Sequence, residues 1–230
     1  MKKFLAYLIA LVLIAGTLFL PGKADARRWK LYDNFNNGYI DSEKWEEVPN
    51  AAYIYLDTGN GRVCFEQMEP YQAGVSSWLK IKKSGKRIRG IRADITVEEG
   101  CIGDVRGRLG GTIGEVGDYT VFGQLSLQGG LERAYGDLGL EEPGNPAFWE
   151  DLVWARFPQP LDISGNTFTA EWRFSRHSTV YHLQGYGMIY FLYPQKIRIG
   201  GDSFGLGIGT RSSNGEGPCT VCFDNVYIRK

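Results

Sequence analysis

The side chains of this chain able to pass a proton near neutral pH are two histidines, His177 and His182, and a scatter of carboxylates. Glu98-Glu99, Glu141-Glu142 and Glu150-Asp151 are neighbours in sequence, so an extended backbone sends the members of each pair to opposite faces. Cleaving a glycosidic bond takes two carboxyls facing one gap, and none of these pairs supplies it. Glu115 and Asp118 flank glycines in a loop. His177, between Arg176 and Ser178, reads as a solvated turn residue. No Gly-x-Ser-x-Gly elbow and no His-Glu-x-x-His helix accompanies either histidine. The glycine-rich residues 103–114 carry Arg106 and Arg108 but no phosphate-loop Lys-Ser/Thr, so they read as a loop or a bulged strand. Glu171 and His182 are the one acid–base pair left to name if the chain is a catalyst.

Alternation gives a second kind of chemistry. Four segments alternate apolar and polar residues with period two, which sorts their faces. In residues 152–157, Val153, Ala155 and Phe157 point to a core and turn Trp154 and Arg156 outward. In residues 168–174 the outward positions are Glu171 and Arg173, and in residues 179–184 they are His182 and Gln184. In residues 118–127 the outward positions are Phe122, Gln124 and Ser126. Placed side by side on one sheet, these strands would carry Gln124, Trp154, Arg156, Glu171, Arg173, His182 and Gln184 on a single face. An aromatic ring beside planar polar groups suits a sugar, whose C–H face packs on the ring while its hydroxyls are bound by the amides and guanidinium groups. An outward tryptophan among polar neighbours calls for such a reason. The plainer reading is a solvated sheet face with charge pairs such as Glu171 against an arginine.

The elements that must hold these residues are almost all strands. Past residue 48 the chain is a succession of alternating runs separated by Gly, Pro, Asn and Asp, with 31 glycines in 230 residues. Ten or more short strands at this spacing predict an all-β, antiparallel sandwich or barrel in one domain. Residues 129–149 mix charge, Gly and Pro, and are expected to form an ordered rim loop, since Tyr135, Phe148 and Trp149 are costly to leave in water.

Residues 1–26 read as a signal-peptide helix: Lys2 and Lys3, an apolar run over 4–20, a Pro-Gly break and the small-residue site Ala24-Asp25-Ala26. The domain then runs from 27 to 230, exported to the periplasm or the medium and free of the membrane once the leader is cleaved. The chain has 26 basic and 26 acidic side chains. The leader takes three Lys and one Asp, so the rest is almost neutral and gives no electrostatic reason to bind nucleic acid. Export makes disulfides among Cys64, Cys101, Cys219 and Cys222 the expected state, with buried thiols as the alternative. A redox or zinc role for Cys219-x-x-Cys222 is disfavoured, because residues three apart on a strand lie roughly 10 Å apart.

The two ends of the chain carry a family resemblance. Leu31-Tyr-Asp-Asn-Phe35 with Gly38-Tyr-Ile-Asp41 and Lys44-Trp45 resembles the opening of the concanavalin A-like lectin/glucanase superfamily. Val221-Cys-Phe-Asp-Asn-Val-Tyr-Ile228 resembles its closing strand, and Phe168-Thr-Ala-Glu-Trp172 its penultimate region. The resemblance implies a jelly roll whose first and last strands are neighbours, with Asn36-Asn37-Gly38 as an exit turn and Asp41 capping a helical turn. It implies that the strand near 91–97 lies beside the last strand, which brings Cys101 to Cys219. It also implies a structural calcium as the one candidate cofactor, with Asp33 and Asp224 as the residues to test. Glycosidases of this type resemble one another in a Glu-x-Asp-x-Glu strand, and jelly-roll lyases in a Gln-x-His pair with a tyrosine. Both patterns are missing here. The expectation is therefore a non-canonical member that binds a polysaccharide without catalysis. The alternatives are a lyase or hydrolase with an unfamiliar site, and a protein-binding or envelope-structural sandwich.

Overall fold

The computed structural model describes residues 29–50, 52–67, 75–82, 88–101, 103–158, 161–212 and 219–230. The leader proposed for residues 1–26 lies outside them. In chain order the strands are β1 (Trp29–Asp33), β2 (Trp45–Val48), β3 (Tyr53–Asp57), β4 (Arg62–Gln67), β5 (Val75–Ile81) and β6 (Gly90–Val97). Next come β7 (Val105–Val116), β8 (Tyr119–Gln128), β9 (Arg133–Glu142), β10 (Asn145–Arg156) and β11 (Thr167–Phe174). The last are β12 (Ser178–Leu183), β13 (Gly187–Leu192), β14 (Arg198–Ile199), β15 (Gly205–Ser212) and β16 (Cys219–Arg229).

These strands form two eight-stranded antiparallel sheets. The seam sheet runs β13-β12-β11-β6-β16-β4-β3, with β1 also on β16. The cleft sheet runs β10-β9-β8-β7-β15-β5-β2, with β14 also on β7. The first and last strands are neighbours, as the resemblance implied. Val226 faces Asp33, and β6 lies antiparallel to β16 on its other side. Asp41 caps its turn by accepting from the Glu43 N–H at 2.9 Å. Both disulfides end on β16: Cys101–Cys219, as expected, and Cys64–Cys222 across a register pair with β4.

Alternation assigns the inward faces correctly. The core between the sheets takes Ile91, Ile95, Trp172, Tyr181, Val221 and Phe223 from one side and Leu79, Leu109, Leu125, Leu138 and Ile208 from the other, all buried. A fully buried side chain of this kind contributes roughly 2–3 kcal/mol. The largest aromatics of the seam sheet rest on glycines of the cleft sheet. A Cβ at Gly123 would stand 2.7 Å from Trp172 Cζ2, and one at Gly136 would overlap the Tyr181 ring. The Trp172 indole donates to Thr179 Oγ1 at 2.9 Å, so its polar atom is satisfied inside.

One expectation is corrected, and one open choice is decided. Residues 129–149 do not form a rim loop. They build all of β9 and the start of β10, a hairpin turning at Pro143-Gly144. Of the residues that gave the segment a loop-like composition, Glu141 and Glu142 end β9, and Asn145 opens β10 paired with Glu142. Residues 103–114 form the bulged strand β7, its register shifting between Thr112 and Gly114.

Candidate functional site

The outward faces of β5, β15, β7, β8, β9 and β10 surround an open cleft of about 610 Å³. A second depression of about 330 Å³ continues it over β5, β7 and β15, with Ser76, Trp78, Phe122 and Glu141 lining both. The floor is glycine: Gly110, Gly207, Gly209 and Gly139 hold outward positions where other residues would raise side chains. Tryptophans lie down on this floor. A Cβ at Gly209 would be 2.7 Å from the Trp78 ring and one at Gly110 would be 3.0 Å from its far edge, while one at Gly139 would run into Trp149. Phe122 stands edge-on between the two, with centroids 6.4 Å from Trp78 and 6.2 Å from Trp149. Trp154 pairs with Tyr135 at 6.3 Å and remains 50% exposed. The cleft is thus flanked by aromatic rings over most of its length.

Polar groups stand between the rings. Arg108 is 2% exposed, with its guanidinium carbon 4.3 Å from the centre of the Trp78 ring. It donates to Gln124 Oε1 at 2.9 Å and to the Thr210 carbonyl at 3.0 Å. Gln124 passes the link on, donating to Asp137 Oδ2 at 2.8 Å. Asp137 Oδ1 is buried with no hydrogen-bond partner among the described residues. Burial pushes the Asp137 carboxyl up to about 6; the Gln124 bond and Arg108 and Arg106 pull against it, and Asp151 pushes the same way. Burial, then Arg211 and Arg106 alongside, lower the Arg108 guanidinium, which keeps its charge at neutral pH. Arg106 grips Asp104 and donates to the Tyr135 hydroxyl at 2.5 Å. Burial also raises Glu141, at the far end of β9.

The residues singled out by alternation do point outward, but they do not share one sheet. Gln124 and Trp154 line the cleft, and Arg156 sits 5.0 Å over the outer side of the Trp154 ring. Glu171 and Arg173 on β11 and His182 on β12 belong to the seam sheet, across the core, and Gln184 follows β12 in the turn towards β13. There Glu171, 9% exposed, pairs with Arg173 two residues along the same strand at 2.7 Å and faces His182 across the strands. Gln184 is exposed beside a separate shallow depression next to Phe168 and Tyr186. Period two tells which way a side chain points, not which sheet its strand joins. Sequence reasoning missed Trp78, Trp149, Tyr135, Arg106, Arg108, Asp137 and Arg211. The available signal was the run Ser76-x-Trp78-x-Lys80, polar except for one tryptophan, facing strands with glycine at alternate positions.

Asp33 and Asp224 are engaged separately. Asp33 is buried and accepts from the Trp45 indole at 2.9 Å, the Phe35 N–H at 3.0 Å and the Lys44 ammonium at 3.4 Å. A cation already occupies its outer side, so the residues present do not fit a calcium there. Asp224 accepts from the Asn225 N–H at 2.6 Å. Among the described residues no three His, Cys, Asp or Glu side chains gather as a metal-holding group.

No protein-family model matches the sequence, and no curated protein matches it. Solved structures do match in shape. The transglycosylase Crh5 superposes with a TM-score of 0.60 at 11% identity, covering 88% of this chain and 84% of that one. A Bacillus licheniformis β-glucanase gives 0.58 at 10% identity, over 86% of this chain and 96% of its own. A carbohydrate-binding module from Bacillus subtilis gives 0.50 at 12%, over 81% and 96%. The fold is the two-sheet antiparallel sandwich of these structures. At these identities the likeness concerns the fold, and the chemistry has to be read from the cleft itself.

Proposed function

We propose that this is an exported glycan-binding jelly roll whose ligand lies along the cleft of the glycine-floored sheet. The observation that carries the reading is the set of Trp78, Phe122, Trp149, Trp154 and Tyr135 around one open cleft, two of the tryptophans lying flat on glycines. Rings held flat offer their faces to the C–H side of a pyranose, while Gln124, Asp137 and the arginines address its hydroxyls. The cleft is open, and the depression beyond Trp78 lengthens it, which favours a polymer over a monosaccharide. The shape likeness to two proteins named for glycan chemistry and one named for carbohydrate binding points the same way. Two disulfides fit an oxidising compartment.

One observation favours a second reading, that the cleft also cleaves its ligand. Asp137 is a carboxyl pushed up to about 6 with Asp151 close enough to contribute to the shift, a division of labour that sugar-cleaving sites use. A polysaccharide panel in native gels, with release of reducing or unsaturated ends followed in parallel, separates the two. Retardation that weakens about tenfold or more in Trp149→Ala and Trp154→Ala, without product, is the expected result. Product that disappears in Asp137→Asn would replace it with the catalytic reading. No retardation by any polymer would remove both.

A further inference from the structure

Resting on that reading, we infer that the ligand is an acidic glycan, and that Arg108 and Arg211 hold its oxyanion at one end of the cleft. Three guanidinium groups converge there. Arg211 stands directly opposite Arg106 in the β15–β7 register, and Arg108 follows on the same face of β7. Like charges facing each other across strands destabilise a sheet, and a buried charge without a counter-ion costs far more. Asp104 pairs with Arg106 and also accepts from Gln128. Arg108 has neutral acceptors on both terminal nitrogens and reaches Asp137 only through Gln124. Its Nε is buried with no hydrogen-bond partner among the described residues, and so is the Nε of Arg211. The excess belongs to this end of the cleft alone: the whole chain is charge-balanced, and Asp137, Glu141 and Asp151 line the cleft farther along.

An oxyanion repairs the imbalance. Guanidinium groups match the geometry of carboxylate and sulfate oxygens, and charge-assisted bonds in a partly desolvated cleft are strong. Trp78 places a sugar ring beside the charge, because the same indole that carries the Arg108 guanidinium lines the cleft. A uronate carboxylate and a sulfate ester share this chemistry.

The test is affinity electrophoresis of the disulfide-intact protein in polygalacturonate and in a sulfated galactan, each against its carboxyl-reduced or desulfated form. The expected result is retardation by one charged polymer that weakens at least about tenfold on removal of the charge and in Arg211→Gln. Arg108→Met is the second variant, with a melting curve to show that it folds. Whichever charged polymer retards the protein identifies the source of the anion. Equal retardation by the charged and neutralised forms, unchanged in Arg211→Gln, overturns the anion subsite and leaves the glycan cleft standing. Retardation by the charged forms that Trp149→Ala does not weaken is charge attraction outside the aromatic cleft, and overturns the subsite. No retardation by any polymer overturns the cleft reading together with it.

Discussion

Replacing Asp137 with asparagine should make the protein more stable, and only above the acid range. The carboxyl is 7% exposed, with one oxygen bonded to Gln124 and the other unpartnered. It is pushed up to about 6 from an ordinary 3.8, a net shift that already includes the attraction of Arg108 and Arg106. At about 1.4 kcal/mol per pKa unit, the ionised side chain costs the fold about 3 kcal/mol. The sign follows from proton binding. Between pH 3.8 and about 6 the folded state holds the proton that the unfolded state has released, so stability falls as pH rises through that window. Above it the full cost remains; below it the cost vanishes. Asparagine keeps an acceptor oxygen for Gln124 and carries no charge at any pH. Urea or thermal unfolding of the disulfide-intact chain should therefore show Asp137→Asn gaining about 2–3 kcal/mol at pH 8 and nothing at pH 4. At roughly 2–4 °C per kcal/mol for a domain of this size, the gain at pH 8 is about 5–10 °C in Tm. A gain that does not grow from pH 4 to pH 8, or a loss at pH 8, would refute the burial argument.

Four further outcomes follow from the same geometry. Gly139→Val should lift Trp149 off the sheet, giving a folded protein by circular dichroism whose glycan retardation falls at least as far as in Trp149→Ala. Asp33→Ala strips buried acceptors from the Trp45 indole and the Phe35 N–H and should cost about 3 kcal/mol in urea unfolding; added calcium should leave the wild-type Tm in place. Reducing both disulfides, which close sequence separations of 158 and 118 residues, should remove about 2–4 kcal/mol each and lower Tm by about 10 °C or more. Binding of a sulfated glycan should strengthen several-fold in calorimetry from pH 8 to pH 5, as Asp137 takes up its proton. The ionisable groups around Asp137 are Arg106 and Arg108 on β7, Tyr135 on its own strand, Asp151 on β10 and Tyr181 on β12.

Side-chain direction was legible in the sequence because it is local. Period two placed Val121, Leu125, Val153, Trp172 and Tyr181 inside and Gln124, Trp154 and His182 outside, all as found. The seam was legible from the two ends of the chain, and with it the Cys101–Cys219 bridge. Sheet membership was not. β8, β9 and β10 form a meander on one sheet, after which the chain crosses to lay β11 and β12 on the other, and nothing in the alternation marks that crossing. The cleft tryptophans stayed hidden for a related reason. Trp78 on β5 becomes a platform because Gly209 on β15 and Gly110 on β7 leave room beneath it. Three strands, far apart in sequence, have to be side by side before that vacancy exists.

The position of β16 sets the order in which the protein can fold. It lies between β6 and β4, receives β1 along its other half and accepts both disulfides, so the seam sheet is built around a strand made after all of its partners. Until residues 219–229 leave the ribosome, β1, β4 and β6 lack their common neighbour, and Cys64 and Cys101 lack their partners. Pairings of this sequence separation close slowly, since the loop entropy is lost before the contacts compensate for it. β1, β4 and β6 thus stay unpaired along those edges until β16 has been made. Oxidation of either cysteine pair therefore locks the sheet only after its shared strand has arrived.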